Sequence, residues 1–129
     1  MFVDSKSLIV NTSADNLFNF LSKEENFPKW AFHYCKSIRK DGDDYKITAT
    51  CGELFFKIEA DPKTGVVDMS SGPQKDQMTT FPARVSALPD GTSIFTLTCI
   101  IAEDMSDEDI NGLQQAFKEE FDALQKAVA

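Results

Sequence analysis

Turn signals recur through the middle of this chain at close to even spacing, and that rhythm restricts the possible folds more than any other feature. Asp41-Gly42, Cys51-Gly52, Asp61-Pro62-Lys63-Thr64-Gly65, Ser71-Gly72-Pro73 and Pro89-Asp90-Gly91 fall mostly about ten residues apart. Glycine and proline let a chain reverse, so the stretches between them read as strands of an antiparallel meander. The alternation of side chains agrees. Tyr45, Ile47, Ala49 and Cys51 take one phase against Lys46, Thr48 and Thr50, and Leu54, Phe56, Ile58 and Ala60 oppose Glu53, Lys57 and Glu59. Val67 and Met69 follow, then Phe81, Ala83 and Val85, then Phe95, Leu97, Cys99 and Ile101. With a strand period of two, one face of the sheet is buried and the other wet. Pro82 has no N–H to give a ladder and marks a bulge or an edge position.

Ahead of the meander, Phe2 to Val10 reads as extended. Asn11-Thr12-Ser13 then offers N-cap residues, and Ala14, Leu17, Phe18 and Leu21 follow at helical spacing. A second short helical turn is predicted from Ser22 to about Phe27, because Pro28 disfavours the α region for the residue before it. Behind the meander lies the clearest helix. Ser106 is its N-cap, Asp107, Glu108 and Asp109 suit the positive end of the helix dipole, and Ile110, Leu113, Phe117, Phe121, Leu124 and Val128 form one stripe. Running to about Val128, this helix spans roughly 33 Å, enough to cross a sheet. The prediction is an α+β chain with a seven-stranded antiparallel curved sheet, two short helices and a long C-terminal helix. No repeat, linker or low-complexity stretch interrupts it, and 129 residues suit one domain with one core.

Charge narrows the function. The net charge is −8, and from Glu103 onward eight acids face two lysines. Nucleic-acid binding needs Lys and Arg to neutralise phosphates, and no basic stripe exists; the same deficit argues against an anionic membrane surface. The acidity reads as a solubility device. Cys35, Cys51 and Cys99 cannot all pair within the chain, and no leader-like opening or apolar run approaching the ~18 residues of a membrane span is present. Reduced thiols in the cytoplasm are the expectation. The sequence holds no phosphate-cradling glycine loop, Cys-x-x-Cys, His-Glu-x-x-His or Gly-x-Ser-x-Gly, so no metal or other cofactor is expected.

A strongly twisted sheet curls, and one helix cannot fill its concave face alone. Either large side chains close the gap or a cavity remains. The inward set mixes large residues (Phe56, Met69, Phe81, Phe95) with small ones (Ala49, Cys51, Ala60, Ala83, Cys99), and pattern alone leaves both outcomes open. The candidate ligand-binding residues are Trp30 and His33 ahead of the meander, and Tyr45, Ile47, Phe56, Ile58, Met69, Phe81, Ala83, Phe95 and Leu97 on the sheet. Leu113, Gln114, Phe117 and Phe121 join them from the long helix, with Gln114 as the polar group able to orient a ligand. Trp30 is expected to cap one end of the core. His33, the sole histidine, is placed in phase with Cys35 on one strand; two ligands are too few for a metal, and a proton-transfer role with Tyr45 or Tyr34 requires a place in the cavity. Arg84 shares the phase of Pro82 and points to solvent unless a bulge turns it inward, and Asp68 is expected outward and solvated.

The order strand, two short helices, meander and long terminal helix resembles the helix-grip fold of the START/Bet v 1-like superfamily. Within it the chain is similar to small bacterial proteins grouped with polyketide cyclases and dehydratases. The resemblance is carried by Ile9-Val10-Asn11-Thr12-Ser13-Ala14 leading into Leu17-Phe18-Asn19-Phe20-Leu21, and by Phe27-Pro28-Lys29-Trp30. Asp61-Pro62-Lys63-Thr64-Gly65-Val66-Val67-Asp68-Met69, Phe81-Pro82-Ala83-Arg84-Val85 and Met105-Ser106-Asp107-Glu108 extend it over nearly the whole chain. It implies an elongated pocket between the sheet and the C-terminal helix, and it supplies no catalytic residue, because no catalytic motif is present to carry over. Three functions follow as expectations: binding of a small hydrophobic molecule, a cyclase- or dehydratase-like enzyme using a pocket His or Tyr, or a partner-binding module with a filled core and an exposed apolar patch. A homodimer is compatible with each. The cone-shaped fold of nuclear transport factor-like proteins also curls a sheet around a pocket, but it places its helices first, whereas this chain ends in its longest one.

Overall fold

Strand β1 (Phe2–Val10) leads through the cap at Ser13, whose hydroxyl accepts from the Asn16 N–H at 3.1 Å, into helix α1 (Ala14–Leu21). A 3-10 turn at Glu24–Asn26 runs into helix α2 (Phe27–Trp30). The meander follows as β2 (Cys35–Asp41), β3 (Asp44–Ala49), β4 (Gly52–Asp61), β5 (Val66–Gln74), β6 (Gln77–Phe81), β7 (Ala83–Ala87) and β8 (Ser93–Ile101), and helix α3 (Asp107–Val128) closes the order. These assignments come from a computed structural model that describes residues 2–101 and 105–129. The strands form one antiparallel sheet in the order β1-β8-β7-β5-β4-β3-β2, with β6 paired to β5 beside that path. Among the described residues, no helix is long and apolar enough to cross a membrane.

The strand expected around Phe81 to Val85 is divided at Pro82, which makes the sheet eight-stranded. Below the break β6 pairs with β5; above it β7 pairs along its length with β8, and its ladder pairing with β5 is at Val66↔Arg84. The Asp68 carboxylate accepts from the Ala83 N–H at 3.2 Å, so it closes the gap in the ladder rather than standing free in water. Arg84 is exposed, and its Nε donates to the Thr64 carbonyl, in keeping with the outward phase.

Three local expectations are corrected. Phe27 takes α-helical angles despite preceding Pro28, because proline is tolerated in the first turn of a helix, and α2 begins there instead of ending. Ser71-Gly72-Pro73 is no reversal: β5 runs through it with a register irregularity between Ser71 and Gln74. Gly72 serves close backbone approach, since a Cβ there would lie 2.0 Å from the Gln77 carbonyl oxygen. Cys51 sits in the β3–β4 turn and Ala60 near the end of β4, and both are exposed, so neither belongs to the inward set. The side chain of Ile101 lies outside the described residues.

The core gathers where α1, α2 and the C-terminal half of α3 meet the sheet. Leu17, Val10, Val67, Phe95 and Leu124 are fully buried, and Trp30 packs edge-on against Phe95, which packs edge-on against Phe121. That end of α3 is also tied by polar contacts. Gln125 accepts from the Asn11 N–H at 2.7 Å and donates to the Ile9 carbonyl, and Asn16 donates to the Val128 carbonyl.

Candidate functional site

Toward its N-terminal end α3 passes over the sheet without closing on it, and a cavity of about 350 Å³ remains beneath it. Phe27, Trp30, Ala31, His33 and Tyr34 wall it from α2 and the turn that follows. The sheet contributes Thr50, Phe56, Met69, Ser71, Phe81, Leu97, Cys99 and Ile100, and α3 contributes Leu113, Ala116, Phe117 and Glu120. Two features keep it open. Several wall positions carry small side chains, among them Ala31, Ser71, Cys99 and Ala116. The aromatic rings also pack on one another within the wall: Phe27 stacks on Phe56 with centroids 4.3 Å apart and meets Trp30 edge-on at 5.7 Å. Exposed Thr50 and Ile100 mark where the wall reaches solvent.

Of the residues proposed from sequence, Trp30, His33, Phe56, Met69, Phe81, Leu97, Leu113 and Phe117 come together around this space. Ile47, Ala83, Phe95 and Phe121 are buried in the core behind it, and Ile58 packs against that core from a half-buried position. Gln114 is exposed on α3 and does not reach the cavity. Tyr45 also lies away from it, at the far end of β3, where its hydroxyl donates to Glu25 at 2.5 Å. That bond pushes the Tyr45 phenol up to about 12, and its place outside the cavity wall removes it as a proton donor there.

His33 is not on a strand; it lies in the turn before β2, with its ring on Phe32 and its Nε2 3.3 Å from a Glu119 oxygen, too poorly aligned for a hydrogen bond. The shared strand face with Cys35 therefore does not exist, and the Cys35 thiol is turned to the Ser37 carbonyl. Next to His33, the Tyr34 hydroxyl meets Ser71 Oγ at 2.9 Å, and burial raises the pKa of the phenol. Burial also pushes the Cys99 thiol up to about 12, which leaves it protonated and a poor nucleophile.

The polar group that sequence reading missed is Glu120. Only 3% exposed, it lines the cavity from α3, and its Oε2 accepts from two consecutive backbone amides, His33 at 3.2 Å and Tyr34 at 3.3 Å. Burial raises its pKa despite those bonds. A signal was available: Glu120 lies seven residues after Leu113, three after Phe117 and four before Leu124, in phase with the apolar stripe. Counted among the acids of an acidic segment, it passed for a solvated charge.

No family model matches the sequence, and neither does any of the curated proteins. Solved structures do. A START superfamily protein from Mycobacterium smegmatis superposes with a TM-score of 0.67 at 14% identity, covering 98% of this chain and 96% of that one. Ara h 8.0201, of the Bet v 1 family, gives 0.63 at 21% identity, covering 98% and 97%. The Aha1 dimer from Colwellia psychrerythraea gives 0.71 at 14% identity, covering 99% and 96%. At such identities the likeness establishes the fold, which is the helix-grip fold of START and Bet v 1-like proteins.

Proposed function

On the helix-grip fold that this chain shares with START and Bet v 1-like proteins, we propose that it binds a small, largely apolar molecule between the curved sheet and α3. The observation that carries this reading is the cavity itself. Its volume of about 350 Å³ falls within the roughly 300–1,000 Å³ of ligand pockets. Protein interiors are otherwise close-packed, and a space of this size forfeits dispersion contacts along its whole lining. The wall is built mainly from apolar side chains with a few polar atoms (Glu120, Tyr34, Ser71), the composition of a site that buries a carbon skeleton and orients it.

The cavity also weighs against a partner-binding module with a filled core. Among the described residues, large exposed apolar side chains occur at Val3 and Ile9 on β1, at Ile100 opposite Val3 on β8, and at Phe32 in the turn after α2. For the enzyme reading, His33 and Tyr34 are the proton-transfer candidates that remain beside the cavity, and Tyr45 is withdrawn. Native mass spectrometry tests the binding proposal. The expected result is an added mass, carried from cells or acquired on incubation with N-phenyl-1-naphthylamine, that is lost on denaturation. A bare chain mass under both conditions would count against it.

A further inference from the structure

The apolar wall sets the shape of the occupant, and Glu120 sets its polar end. We infer that the molecule held in this cavity carries a hydrogen-bond donor, preferentially an ammonium group, that is received by the free oxygen of the Glu120 carboxylate. The inference rests on the cavity being a binding site and specifies what that site selects.

Both amide contacts of Glu120 fall on Oε2, and among the described residues Oε1 accepts no hydrogen bond. Among the described residues no Lys or Arg lines the cavity, and the basic side chain that does, His33, directs Nε2 toward Glu119. Glu120 is thus a carboxyl group removed from water and held on one side, with an unused acceptor beside an apolar space. Such an arrangement disfavours folding unless a partner is supplied. A purely structural role explains it poorly. Leucine at this phase of α3 would extend the stripe, and a glutamine carbonyl would receive the same two amides without a buried charge. The selectivity follows from the chemistry. An ammonium group gains a charge-assisted hydrogen bond, a hydroxyl gains a weaker one, a hydrocarbon gains nothing, and a carboxylate meets like charge in a desolvated site. The Tyr34–Ser71 hydroxyl pair adds a second polar point on the wall.

Four probes with one ring system separate these cases: 2-naphthylmethylamine, 2-naphthylmethanol, 2-methylnaphthalene and 2-naphthoate, titrated calorimetrically into the unmodified protein. The expected order is amine, alcohol, hydrocarbon, acid, with the amine ahead of the hydrocarbon by at least about tenfold, the worth of a charge-assisted hydrogen bond. In Glu120→Gln, which keeps the acceptor for both amides, the amine and the hydrocarbon should bind within about twofold of each other. Equal binding of amine and hydrocarbon by the unmodified protein overturns the inference and leaves the cavity reading intact. So does an amine preference that survives in Glu120→Gln. Failure of all four probes to bind overturns both. The ranking in the unmodified protein decides the matter even where the variant does not fold.

Discussion

Folding strips the Glu120 carboxyl of its water and returns only two backbone amides, and the consequence is a pH-dependent stability. Its pKa in the folded chain is raised above the ordinary carboxylate value, first by burial, while the Tyr34 and His33 amides and the charges of His33 and Lys36 oppose the shift. A raised folded-state pKa means that the favourable contribution is complete below the unfolded value and is lost as pH rises through the folded one. Glu120→Gln should therefore melt at a higher temperature than the parent at pH 7, with the gain shrinking toward pH 4, as read by circular dichroism; a lower melting temperature at pH 7 would contradict this. Tyr45→Phe makes the complementary case. Its hydroxyl serves Glu25 away from the cavity, so affinity for N-phenyl-1-naphthylamine should not change, and a loss beyond about threefold would return Tyr45 to the site. At this scale the sequence was legible where a residue type has one common use. The burial of Trp30 and Phe56 was legible because a large aromatic at the end of an apolar helical turn, or in phase with a buried strand face, has nowhere else to go. Gln114, Tyr45 and Glu120 were misplaced because polar side chains choose between solvent and cavity by a rotation of less than half a helical turn, or by one hydrogen bond, and composition cannot distinguish these.

Elements were read more surely than residues, because caps and stripes are local. Ser106 accepts from the Asp109 N–H at 3.1 Å, and α3 begins and ends where its acids and its apolar stripe placed it. What the stripe did not reveal is that the helix has two unlike halves. Phe121, Leu124 and Val128 are buried against sheet and α1, whereas Leu113 and Phe117 are half-buried over the cavity. Leu124→Ala should cost about 3 kcal/mol, in the range for a fully buried leucine, and Leu113→Ala about 1 kcal/mol, since its site is already open. Urea denaturation measures both, and equal losses would mean that the two halves are packed alike. The turn at Gly72 was misread for a related reason: Gly-Pro is a turn signal, but here glycine answers a close approach of two backbones, a long-range fact that no window of sequence contains.

For the molecule as a whole, the element order foretold the helix-grip arrangement, and the TM-scores of 0.63 to 0.72 at 12–21% identity show how much of that arrangement survives without shared residues. Whether the curled sheet would enclose space was not legible. Filling depends on ring orientations, such as Phe27 stacking on Phe56 within the wall, and alternation reports only which face a ring is on. An apolar molecule in this space would lie against the chain's one tryptophan, since Trp30 stands in the wall. The most direct measurement is quenching of Trp30 emission by N-phenyl-1-naphthylamine in the parent protein and in Ala116→Phe, which places a ring in the cavity from α3. Saturable quenching is expected in the parent and little or none in the variant, with the fold of both verified by circular dichroism. Equal quenching in the two proteins, or none in the parent, would contradict it.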